Sequence, residues 1–413
     1  MTRIFVFTLL LFFLPEFLSA QIVQWRGADR TGIYPDRGLL TSWPAEGPHL
    51  ALTLTGIGDG HSSPVKWKDR IYVSGMFDTL DVLSCFNMNG DLLWKKTIGK
   101  SWSSSFPDSR NTPTIINDRL YIASGMGEVV CFEPLSGKEL WRKNPQETYQ
   151  GRFGNWGFAE SLLPLDIGAI LVSVGGDKAS FVALDMNDGH EVWKSEITDD
   201  RRSYSSPLLI DRNGRKIIVA ELSSHVYGIN PENGQFYWSF DLLKDLVEDG
   251  GRRNSTNTPT YRDGMIFLTA GYNATAVMLS LSADGLSVSK AWTSTVLDNH
   301  FGGTVALNGY IYGSNWLSNS RGNWICLDWK TGKVMYDTEW HNKGPVIAAD
   351  GFLYLMEEKN GEMALVKADH ESFKVVSSFF PFTDKGPYWA HPAIFDGQLY
   401  LRHAGTLKIF DLR

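Results

Sequence analysis

The chain has 413 residues and a formal net charge of −7, with 43% hydrophobic and 21% charged residues. This composition is typical of a globular protein, and the net acidity argues against a nucleic-acid partner, which calls for a concentrated basic surface. The high contents of Trp (15) and Gly (40) predict many strands joined by tight turns.

The first twenty residues have the pattern of a secretory signal peptide. Arg3 is basic, residues 4–14 form an apolar run shorter than a membrane span, and residues 17–20 end in small side chains. Cleavage after Ala20 would leave Gln21 at the position where a bacterial lipoprotein has Cys. We therefore predict an exported protein, periplasmic or secreted, without a lipid anchor; an uncleaved N-terminal anchor is the alternative. No later segment is apolar enough to span a membrane.

From residue 63 onward one unit recurs eight times. Each copy opens with a turn, continues with an alternating strand, and closes with a Gly turn and another strand. Neighbouring copies are 43 to 52 residues apart, as measured between opening prolines. Such a period with four short strands per unit indicates a β-propeller. The opening prolines are Pro64, Pro113, Pro164, Pro207, Pro259, Pro345 and Pro392.

The end of each unit explains how the blades hold together. Turns such as NDG, SGK, TGK and ENG supply residues that tolerate positive φ. A Trp closes the outer strand in five units, and we expect its ring to pack over the next blade while its N–H reaches a carbonyl there. These residues are Trp94, Trp141, Trp193, Trp238 and Trp292, and Tyr336 takes the place in the sixth unit.

The last unit (391–413) stops after its third strand, and the segment 49–56, HLALTLTG, is a spare strand near the N-terminus. Pairing the two would close the ring and remove an exposed edge. The sequence therefore predicts an all-β fold: a single monomeric domain over 21–413, an eight-bladed β-propeller of four-stranded antiparallel blades.

The three cysteines occupy the same position in different units. Equivalent positions on separate blades are too far apart for a disulfide, so we predict buried, unpaired thiols that fill the place taken elsewhere by a small residue. These residues are Cys85, Cys131 and Cys326.

The unit, with its (A/C)LD…TGK…W core, resembles the pyrroloquinoline quinone (PQQ) repeat. QWRGADRTGIYPD near the start and the segments 154–164, 299–305 and 387–402 extend the resemblance to exported PQQ-like propeller proteins over essentially 21–413. That family includes quinoprotein alcohol dehydrogenases and a periplasmic scaffold of the outer-membrane barrel-assembly machinery. The resemblance implies the fold and leaves these functions open.

Ligands of propellers bind where the loops before the innermost strands converge at the central channel. We call these eight segments the mouth loops: 58–64, 107–113, 154–164, 201–207, 250–259, 298–304, 340–345 and 388–392. Their Arg, His and aromatic residues suit an anionic or polyhydroxylated ligand; alternatively, they only satisfy backbone groups in a wet channel. The candidate binding residues are His61, Arg110, Trp156, Glu160, Tyr204, Arg253, Asn257, His300, His341, Trp389 and His391.

The resemblance to dehydrogenases implies an adjacent Cys pair, a calcium site of Glu, Asn and Asp, an Asp base and a Trp against the quinone. The chain has no adjacent Cys pair, and Glu160, Asn257 and Asp298 are the residues that would take the calcium and base roles. We therefore predict no catalytic residue, no cofactor and no metal, and a binding or scaffold module whose partner is an envelope protein or a small ligand. A PQQ- and calcium-dependent dehydrogenase of alcohols or sugars is the alternative.

Overall fold

The computed structural model describes residues 22–244, 246–247 and 252–413, and the predicted signal peptide lies outside them. Eight blades of four antiparallel strands follow one another, one of them extended by a fifth strand, which confirms the predicted eight-bladed propeller. Two strands precede the blades: β1 (Ile33–Tyr34) and β2 (Leu50–Thr55).

Blades 1 to 4 take up the first half of the ring. Blade 1 contains β3 (Val65–Trp67), β4 (Arg70–Phe77), β5 (Leu80–Asn87) and β6 (Leu92–Lys100). Blade 2 contains β7 (Thr114–Ile116), β8 (Arg119–Ala123), β9 (Val129–Phe132) and β10 (Glu139–Lys143), followed by the short helix α1 (Pro145–Thr148). Blade 3 contains β11 (Leu163–Leu165), β12 (Ala169–Ser173), β13 (Phe181–Asp185) and β14 (Glu191–Lys194). Blade 4 contains β15 (Leu208–Arg212), β16 (Arg215–Glu221), β17 (His225–Ile229) and β18 (Phe236–Asp241).

Blades 5 to 8 complete the ring. Blade 5 contains β19 (Thr260–Arg262), β20 (Met265–Leu268), β21 (Ala276–Leu281) and β22 (Val288–Ser294). Blade 6 contains β23 (Val305–Leu307), β24 (Tyr310–Ser314), β25 (Trp324–Asp328) and β26 (Val334–Thr338). Blade 7 contains β27 (Val346–Ala349), β28 (Phe352–Met356), β29 (Met363–Lys367) and β30 (Val375–Phe379). Blade 8 contains β31 (Ala393–Phe395), β32 (Gln398–His403) and β33 (Thr406–Asp411).

The ring closes as the sequence predicts. Strand β2 pairs antiparallel with β33, from Leu50 opposite Phe410 to Thr55 opposite Thr406, and so becomes the outer strand of blade 8. The first and last parts of the propeller therefore share one sheet, which leaves no gap between blades 8 and 1.

The closing Trp of one blade packs on the turn glycine of the next. The Trp193 indole donates to the Pro231 carbonyl at 2.9 Å, and a Cβ on Gly234 would lie 2.4 Å from that ring. The pairs Trp94–Gly137, Trp141–Gly189 and Trp292–Gly332 repeat both features. The turn glycine thus provides positive φ and also the space for a neighbour's indole.

Trp238 departs from the predicted pattern. Its Nε1 is buried and has no hydrogen-bond partner within the described residues. The turn glycine of blade 5, Gly285, faces the Ile217 side chain instead of an indole. The predicted indole hydrogen bond is therefore confirmed for four of the five tryptophans and wrong for Trp238. The predicted packing holds for Trp238 too, because its ring belongs to the hydrophobic cluster that blades 4 and 5 share.

The hydrophobic core lies between successive blades. Side chains of blades 1 and 2 form one buried cluster, and those of blades 6 and 7 form another. Each cysteine lies in such a cluster as a fully buried free thiol, which confirms the prediction, and burial raises the pKa of Cys131 to about 11.

The segment 22–34 occupies the central channel, and we call it the channel hairpin. Val23 exchanges backbone hydrogen bonds with Ile115 on the innermost strand of blade 2. After a reversal, β1 pairs parallel with β27 and adds a fifth strand to blade 7, a pairing absent from our sequence prediction. The hairpin therefore bridges innermost strands on different sides of the ring.

Two buried arginines fix the channel hairpin. The Arg30 guanidinium donates to the carbonyls of Ser161, Leu162 and Pro207 at 2.7–2.9 Å. Arg26 reaches the opposite blades and donates to the carbonyls of Thr304, at 2.7 Å, and Val346, at 3.2 Å. Both have positive φ, 62° for Arg26 and 55° for Arg30, so their backbone conformation is maintained by these long-range contacts.

Candidate functional site

A cavity of about 450 Å³ opens at the end of the channel where the innermost strands begin. Residues from seven mouth loops line it, and Trp25 of the channel hairpin contributes from below. We call this cavity the aromatic cup. Its volume lies within the range of about 300–1,000 Å³ that is typical of small-molecule sites.

Seven of the eleven candidate binding residues lie together in the lining of the cup. Their convergence follows from the propeller, which brings the starts of distant innermost strands to one mouth. These residues are His61, Arg110, Trp156, Tyr204, His300, Trp389 and His391.

Glu160 and Arg253 lie in the protein interior and do not line the cup. The Glu160 carboxylate accepts hydrogen bonds from the Ser173 backbone N–H, and burial raises its pKa to about 7. Arg253 forms an ion pair with Glu221, 3.8 Å between Nη2 and Oε2, and neither side chain is exposed. Both residues support the blades from within.

Asn257 and His341 also lie outside the lining. The Asn257 amide donates to the Asn299 carbonyl at 2.8 Å and accepts from the Gly303 N–H at 3.0 Å, so it ties two mouth loops together. His341 pairs with Glu362 at 2.9 Å, and its side chain is nearly half exposed. The polar residues of the mouth loops therefore include residues that line the cup and residues that only hold the loops in place.

Several lining residues were not among our candidates. Phe106 and Phe301 lie in or beside mouth loops that we had identified, and Trp25 lies in a motif used only for the family resemblance. Tyr272 and Glu358 come from the loops between the second and third strands of blades 5 and 7. Since antiparallel strands alternate in direction, those loops reach the same mouth, a rule that would have identified them.

Aromatic rings form most of the wall of the cup. Trp389 lies between Phe301 and His61, with ring centroids 5.3 and 5.1 Å away. Across the cavity, Trp156 contacts Tyr204 at 5.1 Å. Their mutual packing holds the rings in fixed orientations.

Burial lowers the pKa of each histidine in the cup, and His61 also contacts the Asp108 carboxylate at 3.4 Å. Burial and the charges of Lys343 and Arg252 lower the pKa of His300 to about 3. Burial and the charge of Arg26 lower the pKa of His391 to about 3 as well. In His391, Nδ1 accepts from Arg26 and Nε2 donates to the Phe301 carbonyl, each at 3.0 Å, which fixes the tautomer.

The charged groups of the cup are engaged by protein contacts. Glu358 pairs with Lys343 at 2.5 Å and accepts from the Trp389 indole at 3.2 Å. Arg110 donates to the carbonyls of Trp156, at 3.1 Å, and Phe106. A guanidinium has five N–H groups, so Arg110, which lines the cavity, retains N–H groups that these two carbonyls do not use.

The donors that a calcium-bound quinone would need do not match this cavity. Asp298, the residue in the base role, lines no part of the cup and accepts from the backbone N–H groups of Asn273 and Trp316 at 3.0 Å. Glu160 accepts hydrogen bonds from the Ser173 N–H, and the Asn257 amide holds two mouth loops together. Every cysteine is buried between blades. The residues present therefore do not form the site implied by the resemblance to dehydrogenases.

The blades, their repeat and the mouth cavity define a PQQ-like β-propeller. Residues 79–335 match the PQQ_2 family, described as outer membrane protein assembly factor BamB, and the chain belongs to this family. Within the described residues no helix has the length and apolarity needed to cross a bilayer.

Relatives in sequence include BamB of Moranella endobia, 23% identical over 279 residues, which covers 66% of this chain and 68% of that protein. BamB of Shewanella oneidensis is 23% identical over 283 residues and covers 62% of this chain and 65% of its own length. The quinoprotein ethanol dehydrogenase of Pseudomonas aeruginosa is 24% identical over 196 residues, 41% of this chain and 29% of that protein. The chain thus aligns with about two thirds of the length of these two BamB proteins.

Solved structures share the fold. BamB from Moraxella catarrhalis superposes with a TM-score of 0.64 at 13% identity and covers 88% of this chain and 99% of its own. The quinohemoprotein alcohol dehydrogenase from Comamonas testosteroni gives 0.68 at 12% identity over 94% of this chain and 80% of its own. Both a BamB and a dehydrogenase fit this fold, so the fold alone does not choose a function.

Proposed function

We propose that the protein is an exported, non-catalytic propeller that acts as a binding or scaffold module, with the aromatic cup as its ligand site. The observation that carries the proposal is the state of the ionisable groups around the cup. A general base or acid needs a free group that titrates near the working pH. In the cup His391 uses both ring nitrogens, and His300 has a pKa of about 3. Glu358 is paired with Lys343, and His61 is paired with Asp108 at 3.4 Å.

Three carboxyl groups have pKa values near neutrality, a property often found at functional sites. Burial raises the pKa of Glu160, Glu221 and Asp298 to about 7. None of them lines the cup. Their titration is therefore a consequence of burial in the walls, and it supplies no proton to a ligand in the cavity.

The relatives support a scaffold role in the cell envelope. The family is described as an assembly factor for outer membrane proteins, and we extend this to the present chain as a proposal: its protein partner belongs to the envelope, and the protein works in the periplasm without a lipid anchor. The same fold also carries quinoprotein dehydrogenases, so PQQ-dependent oxidation is the competing function.

A direct test is to incubate the mature protein with PQQ and Ca²⁺, then record its absorption spectrum and assay dye reduction on alcohols and sugars. We expect neither a bound-quinone spectrum nor turnover, with a quinoprotein dehydrogenase as positive control. Tight PQQ binding together with turnover would refute the proposal.

A second test addresses the cup as a ligand site. A thermal-shift screen of sugars and organic acids should find ligands that raise the melting temperature, because a ligand that binds only the native state stabilises it. Trp389→Ala should abolish the shift, whereas Trp94→Phe, a change on the outer strand of blade 1, should preserve it. A shift that survives Trp389→Ala would place the ligand elsewhere.

A further inference from the structure

We propose that the aromatic cup binds an acidic saccharide, with a sugar ring against its aromatic wall and the sugar carboxylate on Arg110. This inference rests on the proposed role of the cup as a ligand site and specifies the chemical class of the ligand. It is carried by the ring faces, the free hydrogen-bonding groups and the charges of the lining.

The lining offers large flat faces with polar groups between them. Trp25, Trp156 and Trp389 are each partly exposed and line the cavity. An indole presents an apolar face and an N–H at its edge, which suits a ring that has C–H groups on its faces and hydroxyls around its rim. A purely apolar ligand would use the faces and leave the polar groups of the cup without partners.

Those polar groups are available. The indole N–H groups of Trp25 and Trp156 and the ring nitrogens of His300 have no hydrogen-bond partner in the part of the chain that the structure describes. Neutral imidazole both donates and accepts, and indole only donates. A hydroxyl both donates and accepts hydrogen bonds. A polyhydroxylated ligand can therefore form a hydrogen bond with each of these indole and imidazole groups.

The charges around the cup favour an anion over a cation. Arg110 lines the cavity, and Arg252 lies over the Tyr272 ring, 4.0 Å from its centroid. The one carboxylate in the lining, Glu358, is neutralised by Lys343 at 2.5 Å. Asp108 beside the cup contacts His61 and acts on Arg110, but the three cations still outnumber the two carboxylates. This balance disfavours a quaternary ammonium ligand, which aromatic cages otherwise suit. A carboxylate matches the remaining N–H groups of Arg110.

A second concavity indicates more than one sugar ring. A cavity of about 340 Å³ adjoins the cup and shares its residues His61, Phe106 and Trp389. Phe106 is 60% exposed at the shared rim, and the lining of the second cavity includes Lys385 and Asp108, whose carboxylate contacts His61 at 3.4 Å. A disaccharide can therefore occupy both cavities around Trp389, with one sugar ring in each.

The test is a titration monitored by tryptophan fluorescence and calorimetry. The probes are glucose, glucuronate, maltose and digalacturonate, with choline and a neutral phenylalanine-containing peptide as competing classes. We expect the acidic sugar to bind about tenfold or more tightly than its neutral counterpart, since hydrogen bonds to charged groups are the stronger ones. Digalacturonate should bind more tightly than glucuronate, and added salt should weaken both acidic probes.

Two variants locate the ligand. Arg110→Gln should remove the preference for acidic sugars and leave the binding of neutral ones, whereas Trp389→Ala should remove both. Trp94→Phe is the matched control and should bind as the wild type does. If Arg110→Gln fails to fold, the comparison of acidic with neutral probes on the wild-type protein still decides the point.

The outcomes separate this inference from the proposed function. Equal binding of acidic and neutral sugars would overturn the carboxylate assignment, and binding of choline or the peptide in preference to every sugar would overturn the saccharide class. If no sugar binds while another ligand gives a thermal shift that Trp389→Ala abolishes, the cup remains a ligand site and this inference fails. Turnover with PQQ would defeat both.

Discussion

Replacing Arg30 with Met should destabilise the whole propeller. The Arg30 guanidinium donates to three backbone carbonyls of blades 3 and 4 and to the Gln24 side chain, all within 2.9 Å. Each buried carbonyl left without a donor costs about 1–3 kcal/mol. Loss of the buried charge offsets part of this, because dehydrating an ion costs several kcal/mol. We expect a net loss of about 3 kcal/mol in the free energy of unfolding.

Urea unfolding, followed by circular dichroism and tryptophan fluorescence, measures this loss. Arg37→Met is the matched control, since Arg37 is exposed and donates only to the adjacent Asp36 carbonyl; it should change stability by less than about 0.5 kcal/mol. If Arg30→Met unfolds within about 1 kcal/mol of the wild type, the channel hairpin does not tie the blades together. The reasoning about its buried arginines would then be refuted.

Three further predictions follow from the same structure. Because the native state holds the Glu160 proton up to about pH 7, the contribution of Glu160 to stability falls as pH rises from about 5 to about 8. The difference in free energy of unfolding, wild type minus Glu160→Gln, measured by urea titration at each pH, should therefore decrease over this range. Gly234→Ala should cost more than Gly168→Ala in melting temperature, since both have similar positive φ but only Gly234 lies against an indole. At about pH 8 a thiol reagent should modify no cysteine of the native protein and all of them after unfolding, the three being Cys85, Cys131 and Cys326.

The blades were predictable because each is specified by local chemistry. A turn such as 136–138 needs Gly137 for its φ of +67°, and the next strand places Trp141 where its indole reaches the Met186 carbonyl of blade 3. These signals lie within one unit and recur, so they support one another. Ring closure was also predictable, because the sequence has a surplus strand near the N-terminus and lacks the fourth strand of the last unit.

The channel hairpin was not predictable by the same route. Its strand β1 has two residues, too few for a period, and its arginines adopt positive φ that their side chains do not favour. Arg26 and Arg30 have this conformation because their guanidinium groups meet carbonyls more than a hundred residues away. The sequence around Arg26 and Arg30 gives no indication of those partners.

The cup shows a different limit of sequence reasoning. His391 and Asn257 are both polar residues of mouth loops, yet His391 lines the cavity while Asn257 holds the carbonyl of Asn299. Which of the two roles a polar side chain takes depends on its direction, and the direction depends on neighbouring loops that differ in length. Composition therefore locates the mouth correctly and cannot separate the lining residues from those that support it.

The channel hairpin links the stability of the ring to the shape of the cup. A ring of eight blades surrounds a channel, and its innermost strands present carbonyls that need donors. Arg26 and Arg30 supply those donors from within, and the same hairpin raises Trp25 to the mouth, where its ring packs against His391 at 5.1 Å. Because Arg26 also donates to His391, the residues that seal the channel set the floor of the cup. A change in the hairpin should therefore alter ligand binding as well as stability, although it lies below the mouth loops.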